Sequence, residues 1–525
     1  MAIIRGTGKA DYLVGTLWRD TIFGLAGNDS LFGDGDVKRG DGTKAQLKGN
    51  ADSLLGGAGN DMLWGDGRVS AGENGAEALL IGGNDTLQGD AGNDTLYGDG
   101  TAEVSATGRS AGIRGDRDVL HGGTGNDELY GDGQVIVGPV VRDAWITGGD
   151  DTLSGGAGND ILYGDGTVRT AISTSAVLTG GSDLLDGGAG NDTIYGDGFI
   201  SGGMFSSAEM IGGRDTLQGG AGDDVLYGDG DIVASRGPAT LKGGADTVYG
   251  SAGDDGIYGD GSVSGYTAEL AGGADYLDGG IGNDTIMGDG TASAAPGGSN
   301  TGTTEFTGGN DTIFGGAGRD YLLGDGQASS NGGSTLIGGA DYIDGGKGDD
   351  TIFGDGEAGG VYGVLEGGDD TLLGGNGNDT IYGDGIVRDG VWAALTAELV
   401  GGNDRIIGGK GEDVLWGDGT AAGGEVTLVG GADRFIFNEG DGRDMIMDFR
   451  STDGDVIQFN ARTLDWRDLD TNRNGRLDHG DRFVSLEDGD TRIDYGAAGG
   501  FSRRGQDVVT VVDHIGLTDA DILFG

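Results

Sequence analysis

The chain has 525 residues, of which 124 are glycine, 3 are proline and none is cysteine. Its 87 acidic and 32 basic residues give a formal net charge of −55, which excludes nucleic acid and anionic lipid as partners because both would be repelled. The absence of cysteine excludes disulfides and thiolate metal sites, and 3 histidines are too few for a histidine-rich zinc or copper site.

The N-terminal segment "MAIIRGTGKADYLVGT" contains no apolar run long enough for a secretory signal peptide. No run of about 18 apolar residues occurs elsewhere, so we expect no transmembrane segment. Glycine-rich repeats begin almost at once, the HExxH and P-loop motifs are absent, and no clear GxSxG nucleophile elbow occurs. We therefore expect no catalytic domain and no enzymatic activity.

The main feature of the sequence is a repeat marked by Gly-Asp-Gly after two apolar residues. It recurs thirteen times at intervals of about 32 residues, a fixed period that indicates a solenoid whose units pack on their neighbours. The copies begin at Leu31, Leu63, Leu96, Leu129, Leu162, Ile194, Leu226, Ile257, Ile286, Leu322, Ile352, Ile381 and Leu415.

Each repeat has the same internal order. A short phrase GGxDxL, as in "GGSDLLD" (180–186), precedes a long phrase GGxGxDxL, as in "GGAGNDTIY" (187–195). Gly-Asp-Gly follows, and then a variable stretch rich in Val, Thr, Ala and Ser. Glycine permits tight turns, and the Leu or Ile two residues after Asp points inward. The order predicts an all-β, right-handed parallel β-roll or β-solenoid with four short strands per repeat. We expect two rungs per repeat, with one larger rung per repeat as the alternative.

Stacked repeats place the same aspartate above itself in coil after coil. Such a series of carboxylates is strongly repulsive unless a cation lies between the turns. Calcium accepts six to eight oxygen ligands, including backbone carbonyls, in flexible geometry, whereas magnesium demands stricter octahedral geometry. The sequence therefore favours calcium between the turns.

The phrase GGAGND, followed by any residue, Leu or Ile, and an aromatic residue, is similar to the nonapeptide of the RTX, or haemolysin-type, calcium-binding repeat proteins. The similarity extends over roughly residues 6–433. It implies that the chain binds many Ca²⁺ ions through aspartate side chains and glycine carbonyls.

In the long phrases, the resemblance implies that the sixth residue is a calcium ligand, giving Asp29, Asp61, Asp94, Asp127, Asp160, Asp192, Asp224, Asp255, Asp284, Asp320, Asp350, Asp379 and Asp413. The short phrases lack the "xG" step of the family but offer Asp52, Asp85, Asp118, Asp151, Asp183, Asp215, Asp246, Asp275, Asp311, Asp341, Asp370, Asp404 and Asp433. The alternative is that these aspartates only cap turns through local hydrogen bonds. For the aspartate of each Gly-Asp-Gly, both interpretations stay open.

The repeat order ends after Asp433, which predicts a repeat domain of residues 1–433 and a C-terminal region of residues 434–525. The alternating aromatic and aliphatic residues of 432–459 favour a cap over the last open strand edge. This segment resembles the C-terminal part of the roll in serralysin-type secreted proteins. The final "GLTDADILFG" (516–525) is similar to a type I secretion end, which implies a type I exporter as a partner.

Within the C-terminal region, "DTNRNGRLDHGD" (470–481) fits the calcium loop of an EF-hand. The turn glycine is Gly475, and a helix over "RTLDWRDL" could precede the loop, although no second helix is evident. Asp at the last position has a shorter reach than the usual Glu, and a simple polar turn is the alternative. The candidate ligands are Asp470, Asn472, Asn474, Arg476 through its carbonyl, Asp478 and Asp481.

The residue before each Gly-Asp-Gly is aromatic in most repeats, which predicts a ladder of aromatic side chains on the outside of the solenoid. Cross-strand stabilisation is one interpretation, and contact with glycans or a neighbouring molecule is the other.

These observations predict a secreted, extracellular calcium-binding protein that stays unfolded in the low-calcium cytoplasm and folds on calcium outside the cell. We expect a structural, surface or matrix-assembly role without catalysis, including self-assembly or association with the cell surface. The alternatives are a calcium-dependent adhesin or host-interaction factor, a secreted calcium buffer and, last, an enzyme that acts on polysaccharide.

Overall fold

A computed structural model describes residues 1–40, 43–72, 76–105, 108–294, 302–360, 362–389, 397–422 and 426–525. These residues form short β-strands with almost no helix. Contacts divide the chain into one unit of Met1–Leu277 with Asp289–Glu305 and a second unit of Asp278–Gly288 with Phe306–Gly525.

Each repeat contributes four strands, which we call positions 1 to 4 in chain order. The position-1 strands, which contain the first glycine of the long phrase, are Thr21–Ala26, Ser53–Ala58, Thr86–Ala91, Val119–Thr124, Thr152–Ala157, Leu184–Ala189, Thr216–Ala221, Thr247–Ala252, Tyr276–Ile281, Thr312–Ala317, Tyr342–Lys347, Thr371–Asn376 and Arg405–Lys410. The position-2 strands, which precede Gly-Asp-Gly, are Ser30–Phe32, Met62–Trp64, Thr95–Tyr97, Glu128–Tyr130, Ile161–Tyr163, Thr193–Tyr195, Val225–Tyr227, Gly256–Tyr258, Thr285–Met287, Tyr321–Leu323, Thr351–Phe353, Thr380–Tyr382 and Val414–Trp416.

The variable stretch of each repeat supplies the other two strands. The position-3 strands are Gly35–Arg39, Gly67–Ala71, Gly100–Val104, Gly133–Val137, Gly166–Arg169, Gly198–Gly202, Gly230–Ala234, Gly261–Gly265, Gly290–Ala294, Gly326–Ser330, Glu357–Gly360, Ile386–Asp389 and Thr420–Ala422. The position-4 strands are Ala45–Lys48, Glu77–Ile81, Ser110–Arg114, Asp143–Thr147, Ser175–Thr179, Ser207–Ile211, Pro238–Lys242, Thr267–Ala271, Thr303–Thr307, Gly333–Ile337, Gly363–Glu366, Ala397–Val400 and Val426–Val429.

Within each unit, equivalent strands of successive repeats pair in parallel and in register. Thr152–Ala157 pairs with Val119–Thr124 on one side and Leu184–Ala189 on the other. Each repeat is therefore one four-sided coil of a parallel β-solenoid. The prediction of two rungs per repeat is wrong, and the alternative of one larger rung is correct. The reason is that strands such as Gly133–Val137 alternate buried and exposed residues, so positions 3 and 4 form two further walls of the same coil.

The core is a stack of inward side chains that come from all four strand positions. In one coil Leu153, Leu162, Val168 and Leu178 come from positions 1 to 4, and each is at most 1% exposed. Leu153 and Leu162 lie two residues after Asp151 and Asp160, so their inward direction is confirmed. Because one coil buries few apolar side chains, the fold depends on contacts with neighbouring coils.

The N-terminal coil is shorter than the others. Its strands Ile3–Arg5 and Tyr12–Val14 pair with the position-1 and position-2 strands of the first repeat. Asp11 and its counterpart Asp29 are only 18 residues apart. The two-strand rung that was expected throughout is therefore found at this end of the described chain.

The C-terminal region continues the stacking with irregular connections. Its strands are Arg434–Asn438, Arg443–Ile446, Val456–Asn460, Val484–Glu487, Asp490–Ile493, Val508–Val511 and Ile522–Phe524, and its helices are Trp466–Leu469 and Tyr495–Gly499. Arg434–Asn438 stacks in parallel on the last position-1 strand, whereas Asp490–Ile493 pairs antiparallel with Val508–Val511. Phe435, Phe459 and Tyr495 are fully buried in this region.

Candidate metal centres

The long-phrase aspartates lie in the turn between the position-1 and position-2 strands, and each is linked to its neighbours through one carboxylate oxygen. Asp61 Oδ1 accepts a hydrogen bond from the N–H of Asp29 at 2.7 Å, and the N–H of Asp61 donates to Asp94 Oδ1 at 2.7 Å. The other oxygen, Oδ2, is buried without a hydrogen-bond partner in Asp29, Asp61, Asp94, Asp127, Asp160, Asp192, Asp224, Asp350, Asp379 and Asp413.

Glycine at the first position of the long phrase leaves space beside this oxygen. A Cβ added to Gly56 would lie 2.5 Å from Asp61 Oδ2 and 2.9 Å from the carbonyl oxygen of Gly89 in the next coil. A side chain would therefore fill a space lined by a carboxylate oxygen and a carbonyl oxygen. Oxygen atoms of these two kinds are the ligands that calcium prefers.

The short-phrase aspartates precede the position-1 strand and are also linked to their neighbours through one carboxylate oxygen. Asp151 Oδ1 accepts a hydrogen bond from the N–H of Asp118 at 2.7 Å, and the N–H of Asp151 donates to Asp183 Oδ1 at 2.6 Å. The second oxygen is buried without a partner in Asp52, Asp85, Asp118, Asp151, Asp183, Asp215, Asp246, Asp370 and Asp404.

The aspartate of each Gly-Asp-Gly forms a third buried series, beside the short-phrase aspartates. Asp165 Oδ2 accepts a long hydrogen bond from Gly181 N–H at 3.3 Å, and Oδ1 has no partner. Among the described residues of the first unit, five groups of three aspartates place one carboxylate oxygen each within 4.8 Å of the other two. The groups are Asp132–Asp151–Asp165, Asp165–Asp183–Asp197, Asp197–Asp215–Asp229, Asp229–Asp246–Asp260 and Asp260–Asp275–Asp289.

Each of these groups contains one short-phrase aspartate and two successive Gly-Asp-Gly aspartates. The sequence alone does not decide between ligand and turn cap for the Gly-Asp-Gly aspartates, and the geometry favours the ligand interpretation. Their recurrence at a fixed place in every repeat was the signal that could have assigned them. The sequence interpretation also missed Asp11 and Asp20, whose N–H groups donate to Asp29 and Asp52. Both precede an apolar residue by two places, as in the repeats.

Burial makes these carboxylates costly to charge. It raises the pKa of Asp94, Asp160 and Asp224 to about 7. Burial, together with the nearby carboxylates of Asp118 and Asp132, raises the pKa of Asp99 well above its ordinary value. A divalent cation between the oxygens would remove this penalty, because it favours the ionised form. The all-oxygen donor set fits calcium and not the metals that prefer nitrogen or sulfur.

The loop of residues 470–481 is closed by its own side chains, in the manner of an EF-hand loop. Asp470 accepts hydrogen bonds from the N–H groups of Asn474 and Gly475, at 3.1 and 3.0 Å. Asp481 Oδ1 accepts from the N–H of Asn472 at 3.0 Å. Asp478 accepts from the amide groups of Asn472 and Asn474. Hydrogen bonds within the loop therefore connect the predicted ligand side chains to one another and to the loop backbone.

The elements around this loop differ from an EF-hand. The preceding helix, Trp466–Leu469, has four residues, fewer than the segment considered in the sequence. The strand Val484–Glu487 follows the loop where an EF-hand has its second helix. Gly475 takes the left-handed conformation, with φ of +84°, as the turn position requires.

The aromatic ladder forms, but part of it is buried. The rings from Phe32 to Tyr258 stack with centroids 4.3 to 5.7 Å apart. Phe32, Trp64 and Tyr130 are buried among neighbouring rings, although each directly follows an inward leucine and so lies on the outer face of its strand. Within the stack both faces of a ring contact other rings, which supports cross-strand stabilisation over sugar binding. The members in the first unit are Tyr12, Phe32, Trp64, Tyr97, Tyr130, Tyr163, Tyr195, Tyr227 and Tyr258.

Comparison with known proteins identifies the repeats. A search of curated proteins gave no match. In the described part of the chain, no helix has the length and apolarity to cross a bilayer. The family model of the RTX calcium-binding nonapeptide repeat (4 copies) matches residues 5–37, 48–67, 81–103, 114–134, 145–167, 177–199, 212–231, 242–262, 271–291, 307–329, 338–358, 366–385 and 400–421. These thirteen segments make up more than half of the chain and contain all of the long-phrase aspartates and every short-phrase aspartate except Asp433. The chain therefore belongs to the RTX calcium-binding repeat family.

Proposed function

We propose that this RTX protein is secreted, folds on calcium outside the cell and has a structural role at a surface or in a matrix. The observation that carries the proposal is the stack of buried carboxylate oxygens for which the protein itself supplies no hydrogen-bond partner. A buried charge without a counter-charge is strongly unfavourable. Calcium-binding free energy is then part of the folding free energy.

The proposed calcium ligands are the long-phrase, short-phrase and Gly-Asp-Gly aspartates, with glycine carbonyls of adjacent coils. The closed loop of Asp470, Asn472, Asn474, Asp478 and Asp481, with the Arg476 carbonyl, is a further proposed site. The clustering of three carboxylates within 4.8 Å supports the assignment for the short-phrase and Gly-Asp-Gly residues. Calcium at about 10⁻⁴–10⁻³ M, typical of extracellular modules, is sufficient for sites of this kind.

Export of an unfolded chain agrees with the net charge of −55, which disfavours compaction until calcium is bound. The proposed exporter is of type I and reads the C-terminal residues 516–525. We also propose that residues 434–525 close the solenoid as a cap, because their strands stack on the last repeat and bury an aromatic core. In this proposal the protein works outside the cell and not as an enzyme.

The proposed structural role is supported by the regular repetition of the coils. Outward positions repeat in every coil, so the same contacts can be offered to several neighbouring molecules. Calcium-dependent light scattering would test assembly, and a particle that stays monomeric in calcium would contradict it. A glycan-array and hydrolysis screen of the folded protein would contradict the non-catalytic role if it gave turnover.

The central experiment is a calcium titration of the full chain followed by circular dichroism. We expect a largely disordered spectrum in chelator, because the repeat coils unfold, a β-spectrum after calcium is added, and little recovery with magnesium at the same concentration. A β-spectrum that is the same in chelator and in calcium would overturn the proposal.

A further inference from the structure

In the last regular coils, the first glycine of the short phrase faces two successive Gly-Asp-Gly carboxylates, as at Gly338, Gly367 and Gly401. A Cβ added to Gly401 would lie 2.5 Å from Asp384 Oδ2 and 2.8 Å from Asp418 Oδ1. Asp384 Oδ2 is buried without a hydrogen-bond partner. A cation between two such carboxylates would therefore stabilise the fold at this position.

After Asp418, the first glycine of the next short phrase again faces two carboxylates, but the second one does not come from a Gly-Asp-Gly. A Cβ added to Gly430 would lie 2.6 Å from Asp418 Oδ2 and 2.9 Å from Asp453 Oδ2. Asp453 thus stands where the next Gly-Asp-Gly aspartate would be. The guanidinium of Arg450 lies between the two, with Nη1 3.0 Å from Asp418 Oδ2 and 3.6 Å from Asp453 Oδ2.

Asp418 is consequently partnered at both oxygens. Its Oδ1 accepts a hydrogen bond from Gly431 N–H at 2.8 Å, and its Oδ2 accepts one from Arg450. The backbone holds Arg450 in place: its N–H donates to Asp455 Oδ2 at 2.6 Å, and its carbonyl accepts from Asp453 N–H at 3.0 Å. A guanidinium is permanently charged and donates to carboxylates in a fixed geometry.

From this geometry we infer that Arg450 is a cation supplied by the chain, which takes the place of calcium at the C-terminal end of the Gly-Asp-Gly series. The inference rests on the proposed function, since it presumes that calcium occupies the earlier positions. The last cation of the Gly-Asp-Gly series is then the guanidinium of Arg450 and not a metal ion. The stacking of the last coil on the C-terminal region is then independent of the calcium concentration at this position.

The test compares Arg450→Gln, which removes the charge, with Arg450→Lys, which keeps it, and with Arg434→Gln, an exposed arginine on the neighbouring strand. Calcium bound per chain is counted by native mass spectrometry at saturating calcium, and the calcium midpoint is measured by circular dichroism. Arg450→Gln is expected to bind one more ion than wild type and to need more calcium to fold. Arg450→Lys and Arg434→Gln are expected to keep the wild-type count.

An unchanged ion count and midpoint in Arg450→Gln would overturn the inference while leaving calcium-dependent folding of the wild type intact. If Arg450→Gln does not fold at saturating calcium, Asp453→Asn decides, because Asp453 is partly exposed, with 29% of its side chain accessible. Asp453→Asn is expected to bind as many ions as wild type. Loss of one ion in that variant would place calcium, and not Arg450, between the two carboxylates. A wild-type protein that ignores calcium would instead remove the proposed function itself.

Discussion

A repeat coil and the C-terminal region stack their strands in the same way but fill their interiors differently. The coil of residues 151–179 buries small and aliphatic side chains together with Asp151 and Asp160, each of which has one carboxylate oxygen, Oδ2, without a hydrogen-bond partner. The C-terminal region buries a cluster that includes Phe437, Phe459 and Tyr495, whose rings lie within 6.0 Å of one another.

Carboxylates at the junction of the two regions also differ from those in the coils. Asp448 accepts hydrogen bonds from the N–H groups of Gly417 and Asp418, and Asp455 accepts from those of Asp433 and Arg450. Backbone N–H groups and the Arg450 guanidinium thus compensate the carboxylates at the junction, a role that the proposed calcium ions have in the repeat coils. The difference teaches that one backbone pattern can be stabilised either by bound metal or by side chains of the chain itself.

Removal of calcium should separate the two regions most clearly. In chelator, amide hydrogen exchange should become unprotected in the repeat coils, because their carboxylates lose the compensating cation. Peptides from residues 434–460 should retain at least about tenfold protection, because their aromatic core needs no metal. Mass-spectrometric hydrogen exchange measures both, with the calcium-loaded protein as control. Equal loss of protection in both regions would remove the distinction.

Acidification should restore part of the order that chelation removes. Burial raises the pKa of Asp94, Asp160 and Asp224 to about 7, above the ordinary value of 3.8 expected in the unfolded chain. The folded state then binds protons more tightly, so the calcium-free fold is most stable below the unfolded pKa and loses stability as pH rises through about 7. We expect more β-signal in chelator near pH 5 than near pH 8.

Protons and calcium compete for the same oxygens, so the calcium midpoint should be higher near pH 5 than near pH 7.5. Circular dichroism in buffers of equal ionic strength checks both expectations. A chelated protein whose spectrum does not change with pH would argue that the buried carboxylates are compensated without metal.

Adjacent aspartates in one phrase provide a matched pair of variants. Asp151 belongs to one of the buried groups of three aspartates, whereas Asp150 is exposed and contacts Arg117 at 2.8 Å. Asp151→Asn should weaken calcium binding at its site about tenfold, or about 1.4 kcal/mol, because an amide oxygen carries no charge. Asp150→Asn should change the free energy of unfolding by less than about 1 kcal/mol. Calcium titrations of both variants decide, and equal midpoint shifts would contradict the assignment.

The smallest expected effect concerns the aromatic ladder. Tyr195 stacks on Tyr163 at 5.0 Å and on Tyr227 at 4.9 Å. Tyr195→Ala should lower the free energy of unfolding in saturating calcium by about 1–3 kcal/mol, since each aromatic pair contributes about 0.5–1.5 kcal/mol. Tyr195→Phe keeps both ring contacts and should be close to wild type. Thermal unfolding measures the difference, and equal losses in the two variants would show that the ring contacts are not the cause.

The sequence predicted the solenoid, its period and the inward Leu and Ile residues, because each depends on local spacing. Register between repeats does not follow from spacing alone. The variable stretches differ in length, yet strands such as Gly100–Val104 and Gly133–Val137 align residue by residue. That alignment, which makes one coil of each repeat, depends on contacts between repeats.

The candidate sites show the same limit. The long-phrase and short-phrase aspartates could be named from a motif, whereas the approach of Asp132 and Asp165 to Asp151 depends on how two coils stack. Arg450 follows no repeat pattern, and its contact with Asp418 joins residues that are 32 positions apart. Only the folded chain brings these groups together.

Each group of three aspartates in the first unit has one carboxylate in common with the next, as Asp165 and Asp197 illustrate. An ion that orders such a carboxylate prepares half of the adjoining position, so filling at one level favours filling at the level beside it. If calcium occupies these groups, nearest-neighbour coupling of this kind would make its binding cooperative along the series and would penalise every boundary between a loaded and an empty stretch. A lesion in a single coil would then break the series in two and blunt its response to rising calcium.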